Sequence, residues 1–176
     1  MTLTDKVRPR YLIVDTCIIQ HSNSSDKSKA EVVISCLKNL QSENYQLAIS
    51  EFTVYENLRN IFGKKAKIAL QVLKNYEWKN VTYLVLKMAS MLSGLYHQEK
   101  VDYMSDGDKI IAATALLETG YVLTENHRDF PHPFFITEKY LPIQYVSGRI
   151  HKTIGLALYK PQIPLIIHRI DELNKN

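Results

Sequence analysis

GDKIIAATALLETGYVLTENHRDF, residues 107–130, changes period in mid-course. Apolar and small residues run at helical spacing to Leu117, Gly120 stands as a plausible helix stop, and YVLT (121–124) is short and β-rich enough to be a strand. Working outward, YLIVD (11–15) reads as a buried strand, too short for a helix and bounded by Pro9 and a polar stretch. SNSSDKSKAEVVISCLKNL passes from a polar turn into a helix carrying Val33, Leu37 and Leu40, and YQLAIS (45–50) follows as a second strand. Strand, helix, strand implies a parallel crossover, and repetition of that alternation predicts an α/β fold.

Between the second strand and YVLT the spacing predicts three further helices. The first starts at Ser50, carries Phe52, Tyr55, Leu58 and Phe62 on an apolar stripe and stops near Gly63; AKIALQVLKNY and YLVLKMASMLSGLYHQEK follow. After Pro133, FFIT, LPIQYV and RIHKTIGLALY are strand-like, with Ser147-Gly148 as a hairpin turn, and PLIIHRIDELNKN closes the chain as a helix. No repeat, linker or low-complexity tract divides the chain, so 1–176 is expected to form one domain.

At 176 residues, 45% hydrophobic and 23% charged, the chain can build a core without disulfides or structural metal. No apolar run is long enough to span a membrane, and the first 15 residues lack the apolar region of an export signal. Cys17 and Cys36 are too few for a disulfide framework or a zinc site and fit a reducing cytoplasm as core thiols. A net charge of +4 permits a nucleic-acid partner without requiring one.

The acids are more informative. In a parallel α/β sheet, ligands bind outside the carboxyl ends of the strands. Asp15 ends the first strand, Glu51 and Glu56 follow the second, Asp129 follows YVLT, and Asp108 starts the helix leading back to that strand, so these acids are expected at one edge. Carboxylates brought close repel and raise one another's pKa unless a cation compensates. Mg²⁺ or Mn²⁺, taking oxygen ligands, is the expected compensation, and phosphoryl transfer to water is the chemistry such a site supports.

Each acid also has a plain structural reading. Asp15 can cap the following turn; Asp106 and Asp108 complement a helix dipole, and Ser105-x-x-Asp108 fits a capping box; Glu51 suits a first helical turn; Asp129 alone is a loop acid. Glu56 flanks the apolar stripe, which is harder to explain by solvation alone. His127 and His132 lack metal-pair spacing and are expected to be exposed loop residues. No phosphate-binding Gly-rich loop and no supported Ser-His-Asp arrangement is present.

YLIVDTCII, AISEFTVYENLRN and GDKIIAATALLETGYVLTENHRDF, in that order, closely resemble the PIN-domain ribonucleases, whose best-known members are toxins of bacterial toxin–antitoxin pairs. The resemblance covers about residues 10–137, and its third block is the most specific. It implies a three-layer α/β/α fold with a mostly parallel central sheet, followed at about 138–176 by a β-hairpin and helix longer than in compact toxin members. It implies Asp15, Glu56, Asp108 and Asp129 as the catalytic, metal-holding acids, choosing Glu56 over Glu51, with Thr124, Asn126 and Asp106 in support. The implied activity is Mg²⁺- or Mn²⁺-dependent endoribonuclease cleavage leaving a 5′-phosphate and a 3′-hydroxyl. RNA substrate, an antitoxin protein and a second copy of the chain are the implied partners. Arg149, Lys152, Lys160 and Arg169 make the C-terminal segment a candidate RNA contact, with simple extension of the sheet as the alternative.

Two competing functions stand beside this. A catalytically silent PIN-like module binding RNA or a partner protein has no use for four acids that repel phosphate. A phosphohydrolase with Asp15 as nucleophile often carries a second Asp two positions later, where this chain has Cys17.

Overall fold

The computed structural model describes residues 10–100 and 104–175; the opening stretch read for an export signal lies mostly outside them. The six-stranded sheet runs β3 (Glu77–Lys79), β2 (Tyr45–Ser50), β1 (Arg10–Val14), β4 (Tyr121–Thr124), β6 (Ile150–Pro161) and β5 (Phe135–Ser147). The first four strands are mutually parallel, and β6 is antiparallel to both neighbours. Helices α1 (Thr16–Ser22), α2 (Lys27–Ser42), α3 (Glu51–Leu58) and α4 (Gly63–Leu73) connect the strands on one side of β1. Helices α5 (Tyr83–Gln98) and α6 (Asp106–Leu117) return the chain to β4, and α7 (Ile163–Leu173) closes it.

Alternation along the strands explains the layers. Leu12, Val14, Leu47, Ile49 and Leu123 point into a core shared with α1 and α2, where Ile18, Val33, Leu37 and Leu40 lie. Ile13, Ala48 and Val122 point to the opposite face, against Leu92 and Leu95 of α5, Ile111 and Ala112 of α6, and Ile166 of α7. A sheet covered on both faces needs apolar residues at every strand position, and the burial of all four residues of β4 shows it.

Several elements differ from expectation. β3 is only three residues long and half exposed, so it carries no strand period, and α1 has seven residues and no side-chain cap. The predicted Phe52–Phe62 stripe faces the core only in part: Leu58 packs against it and Phe52 lies on α6. α3 ends at Leu58 and buries Thr53 and Val54, leaving Tyr55 and Phe62 exposed by 59% and 83%. Gly63, at φ +61°, begins α4 rather than stopping the helix before it.

Gly120 is not the left-handed residue that ends α6. Thr119 adopts φ +50°, and bonds from Thr119 N to Leu116 O and from Gly120 N to Ala115 O form a Schellman motif. Gly120 is needed for close approach: a Cβ there would stand 2.8 Å from the Tyr11 carbonyl oxygen of β1.

The three C-terminal strand-like runs form two strands, the first continuing through a bulge between Thr137 and Lys139. Ser147 pairs with Ile150, so the hairpin turn is Gly148-Arg149, with Gly148 at φ +64°. The expected 137/138 boundary therefore falls inside β5, and β6 pairs directly with β4, so the segment extends the sheet.

Candidate carboxylate site at the edge of the sheet

From β1 the chain moves outward to β2 and β3 on one side, then returns to β4 on the other. The carboxyl ends of β1 and β4 therefore flank a topological switch point, where neighbouring loops part and leave a crevice. Asp15 follows β1 directly, its N–H bonded to Leu123 O at 3.0 Å. By position it caps α1, yet its side chain makes no capping bond. Its Oδ2 instead accepts from Thr124 Oγ1 at 2.6 Å and Cys17 Sγ at 3.2 Å, and the residue is only 3% exposed. Burial, and then the Asp15 charge, push the Cys17 thiol far above its ordinary range, so it remains a protonated donor.

Thr124 is fully buried at the end of β4; its hydroxyl donates to Asp15 and accepts the Asn126 N–H at 2.8 Å. That pair of bonds ties the acid of β1 to the loop leading into a 3₁₀ turn over His127–Asp129. Asp129 sits on that turn, its pKa raised by burial and by Asp15 against the opposing pull of Arg128.

Asp108 answers both descriptions its sequence allowed. Ser105 Oγ accepts the Asp108 N–H at 3.1 Å and donates to the Asp108 carboxylate, so the N-cap half of the capping box is present, while the carboxylate returns to the Ser105 hydroxyl and not to its backbone N–H. Its pKa is nevertheless raised to about 6. Burial is the largest cause; the Ser105 hydrogen bond opposes it, and the Asp129 and Asp15 charges raise it further. Capping alone would lower it.

Glu56 is half-buried on α3 and accepts a hydrogen bond from Thr16, the residue after Asp15. Glu51 turns elsewhere, accepting the Val81 N–H at 2.9 Å from an exposed position. Asp106 points to solvent, with Lys109 Nζ at 3.2 Å. Asn126 contributes its backbone N–H to Thr124. His132 is exposed; His127 is exposed on its turn but has Nδ1 2.9 Å from Tyr159 Oη. Thr16 and Cys17 hold the acids and were not singled out as such by sequence, whereas Ser105 was legible as the cap of Asp108; for Thr16 the available signal was adjacency to a strand-end Asp at a helix start.

The four basic residues of the C-terminal segment are not brought into one patch. Arg169 is engaged by Glu99 at 2.8 Å and Glu172 at 3.1 Å. Lys152 acts on Asp26 at the start of α2, and Arg149 occupies the hairpin turn. Ala157 lies opposite Thr124, so Lys160 is carried away from the carboxyl edge.

Among the described residues, no group of three His, Cys, Asp or Glu side chains is drawn together as a ready ligand set. Asp15 and Asp129 instead lie near enough for their charges to act on Asp108, and Asp15 acts likewise on Asp129, with burial the larger cause at both. Their oxygen donors and uncompensated charge suit a hard divalent cation in kind.

No family model matches the sequence, and no curated protein matches it. Among solved structures, a toxin–antitoxin complex from Klebsiella pneumoniae is similar with a TM-score of 0.52 at 21% identity, over 70% of this chain and 92% of that one. VapBC2 from Rickettsia felis, bound to a DNA fragment from its promoter, is similar with a TM-score of 0.53 at 19% identity, over 68% and 90%. Identities this low show the fold, which is PIN-like with a mostly parallel central sheet. No helix among the described residues is long and apolar enough to cross a membrane.

Proposed function

We propose that the protein is an endoribonuclease hydrolysing RNA phosphodiester bonds with Mg²⁺ or Mn²⁺ held by Asp15, Asp108, Asp129 and Glu56. The observation that carries this reading is the coupling of three aspartates from β1, α6 and the turn after β4 at the switch point of the sheet. Such repulsion serves no purpose in folding and is relieved when a cation binds. An ion held by these residues would supply charge neutralisation at the scissile phosphate and would activate a water.

The chain's own groups do the rest. Thr124 and Cys17 donate to one oxygen of Asp15 and leave the other available. Thr16 tethers Glu56 beside Asp15, and Ser105 orients Asp108 from the helix start. Attack by water would leave a 5′-phosphate and a 3′-hydroxyl. The same reading includes a protein partner of the antitoxin kind, supported by the partnered state of the similar structures, together with self-association and a cytoplasmic setting.

Labelled RNA incubated with Mn²⁺, with Mg²⁺ and with EDTA tests the proposal. Cleavage with either ion, absent in EDTA and absent in Asp15→Asn, is expected. Metal-independent cleavage, or RNA binding without product under every condition, would overturn it, the latter in favour of a silent binding module.

A further inference from the structure

The aromatic side chains that α3 fails to bury lie beside the carboxylate site. Phe52, Tyr55, Glu56 and Arg59 fall three and four residues apart and so share one side of the helix and its cap. Glu56 joins the site through Thr16. Phe52 packs against the first turn of α6, so closely that a Cβ on Gly107 would stand 2.5 Å from its ring, and Gly107 precedes Asp108. The Tyr55 ring rests on Phe52, centroids 5.8 Å apart, and is 59% exposed. Tyr55 therefore stands at the rim of the site, one ring away from the turn carrying Asp108.

The chain that follows Tyr55 is basic and carries an exposed aromatic. Residues 57–76 contain Arg59, Lys64, Lys65, Lys67 and Lys74 and no acid. Removing these five from the chain's 22 basic residues leaves 17 against 18 acidic ones, so this segment carries the whole positive excess. Arg59, Lys64, Lys65 and Lys67 meet no carboxylate among the described residues, unlike Arg169 with its two glutamates. Phe62, between them, is 83% exposed.

We infer that this ridge is the binding track for the single-stranded RNA that enters the carboxylate site. Tyr55 stacks on a base next to the scissile phosphate, Phe62 offers a second stacking face, and Arg59 and the α4 lysines hold backbone phosphates. Aromatic rings accept any base through its π-face, while unpaired cations attract the backbone. The cations also offset the acids, which by themselves repel the strand they are to cleave. Charge favours RNA over an apolar helix as the occupant, because an apolar partner has no need of four unpaired cations.

The inference rests on the ribonuclease reading for the strand's destination, so binding is measured apart from cleavage. A fluorescein-labelled 12-nucleotide single-stranded RNA is titrated with the full chain in EDTA, followed by anisotropy. Tyr55→Ala should weaken binding about tenfold or more, Tyr55→Phe should restore it to within about twofold, and Tyr83→Ala, removing a 76% exposed tyrosine on α5, should leave it unchanged. The double variant Lys64→Ala, Lys65→Ala should flatten the slope of log affinity against log salt by about 0.7 for each phosphate that is no longer neutralised. Unchanged affinity and salt slope in the Tyr55 and lysine variants would overturn the track even if the enzyme cleaves RNA. So would ridge variants that keep RNA affinity and lose a co-purifying protein partner. Absence of RNA binding by the wild type also overturns the track, while the cleavage assay judges the nuclease reading by itself.

Discussion

Replacing Asp108 by Asn separates a helix-start residue from a member of a crowded acid site. In the fold the Asp108 pKa is raised from 3.8 to about 6, chiefly by burial and with Asp129 and Asp15 adding to it. Below 3.8 both folded and unfolded chains hold the proton, and the group is neutral toward stability. Between 3.8 and about 6 the folded chain keeps a proton that the unfolded chain has released, so stability falls as pH rises through this window; above it the cost is constant. At about 1.4 kcal/mol per pKa unit the cost reaches at most about 3 kcal/mol, and solvent screening of a partly exposed carboxyl brings it to about 1–2 kcal/mol. Asn does not ionise. At pH 7.5 in EDTA the variant should therefore be more stable by about 1–2 kcal/mol, melting roughly 2–8 °C higher, with the advantage vanishing near pH 4. If Asp108 served only the helix dipole, Asn would instead cost about 0.3–1 kcal/mol at pH 7.5. Thermal melts at the two pH values, repeated with Mn²⁺, read the outcome. Mn²⁺ at ten times its Kd should stabilise the wild type by about 1.4 kcal/mol and the variant by less. A variant less stable at pH 7.5, by the same amount at pH 4, would refute the crowded-site reasoning.

Three further outcomes follow from the surroundings of single residues. Glu56→Gln should slow RNA cleavage by roughly two decades or more, as expected from losing a metal-site interaction of several kcal/mol, whereas Glu51→Gln, bonded only to the Val81 N–H, should change the rate little; equal rates in a cleavage time course would remove Glu56 from the site. Gly120→Ala forces a Cβ to 2.8 Å from a backbone carbonyl that cannot swing aside and should cost about 1–3 kcal/mol in denaturant titration. Gly94→Ala in α5, with nothing within 4 Å of its Cβ, should instead gain up to about 1 kcal/mol from helix propensity.

The residues alone settle the alternation of elements, because strand and helix periods and the Ser105 helix cap are local properties read from a few neighbouring positions. They also point to the edge that receives Asp15, Asp108 and Asp129, since a parallel sheet sends every strand's carboxyl end the same way. Short elements escape such reading: β3 and α1 span too few residues to show a period, and pairing with β2 or packing on the sheet defines them. The folded chain selects which face of α3 is buried. Phe52, Tyr55, Leu58 and Phe62 look like a core stripe, yet Thr53 and Val54 are the buried residues of α3 and Tyr55 lies open to solvent. It likewise gives Glu56 a bond to Thr16 and Glu51 a bond to the Val81 N–H, and adds burial and neighbouring charges to the helix cap at Asp108. Those answers depend on groups up to about a hundred residues away in the chain: Thr16 for Glu56, Thr124 for Asp15, and Asp15 and Asp129 for Asp108. Charge repulsion and desolvation act through space, and a one-dimensional pattern contains no distances between segments that meet only in the folded chain.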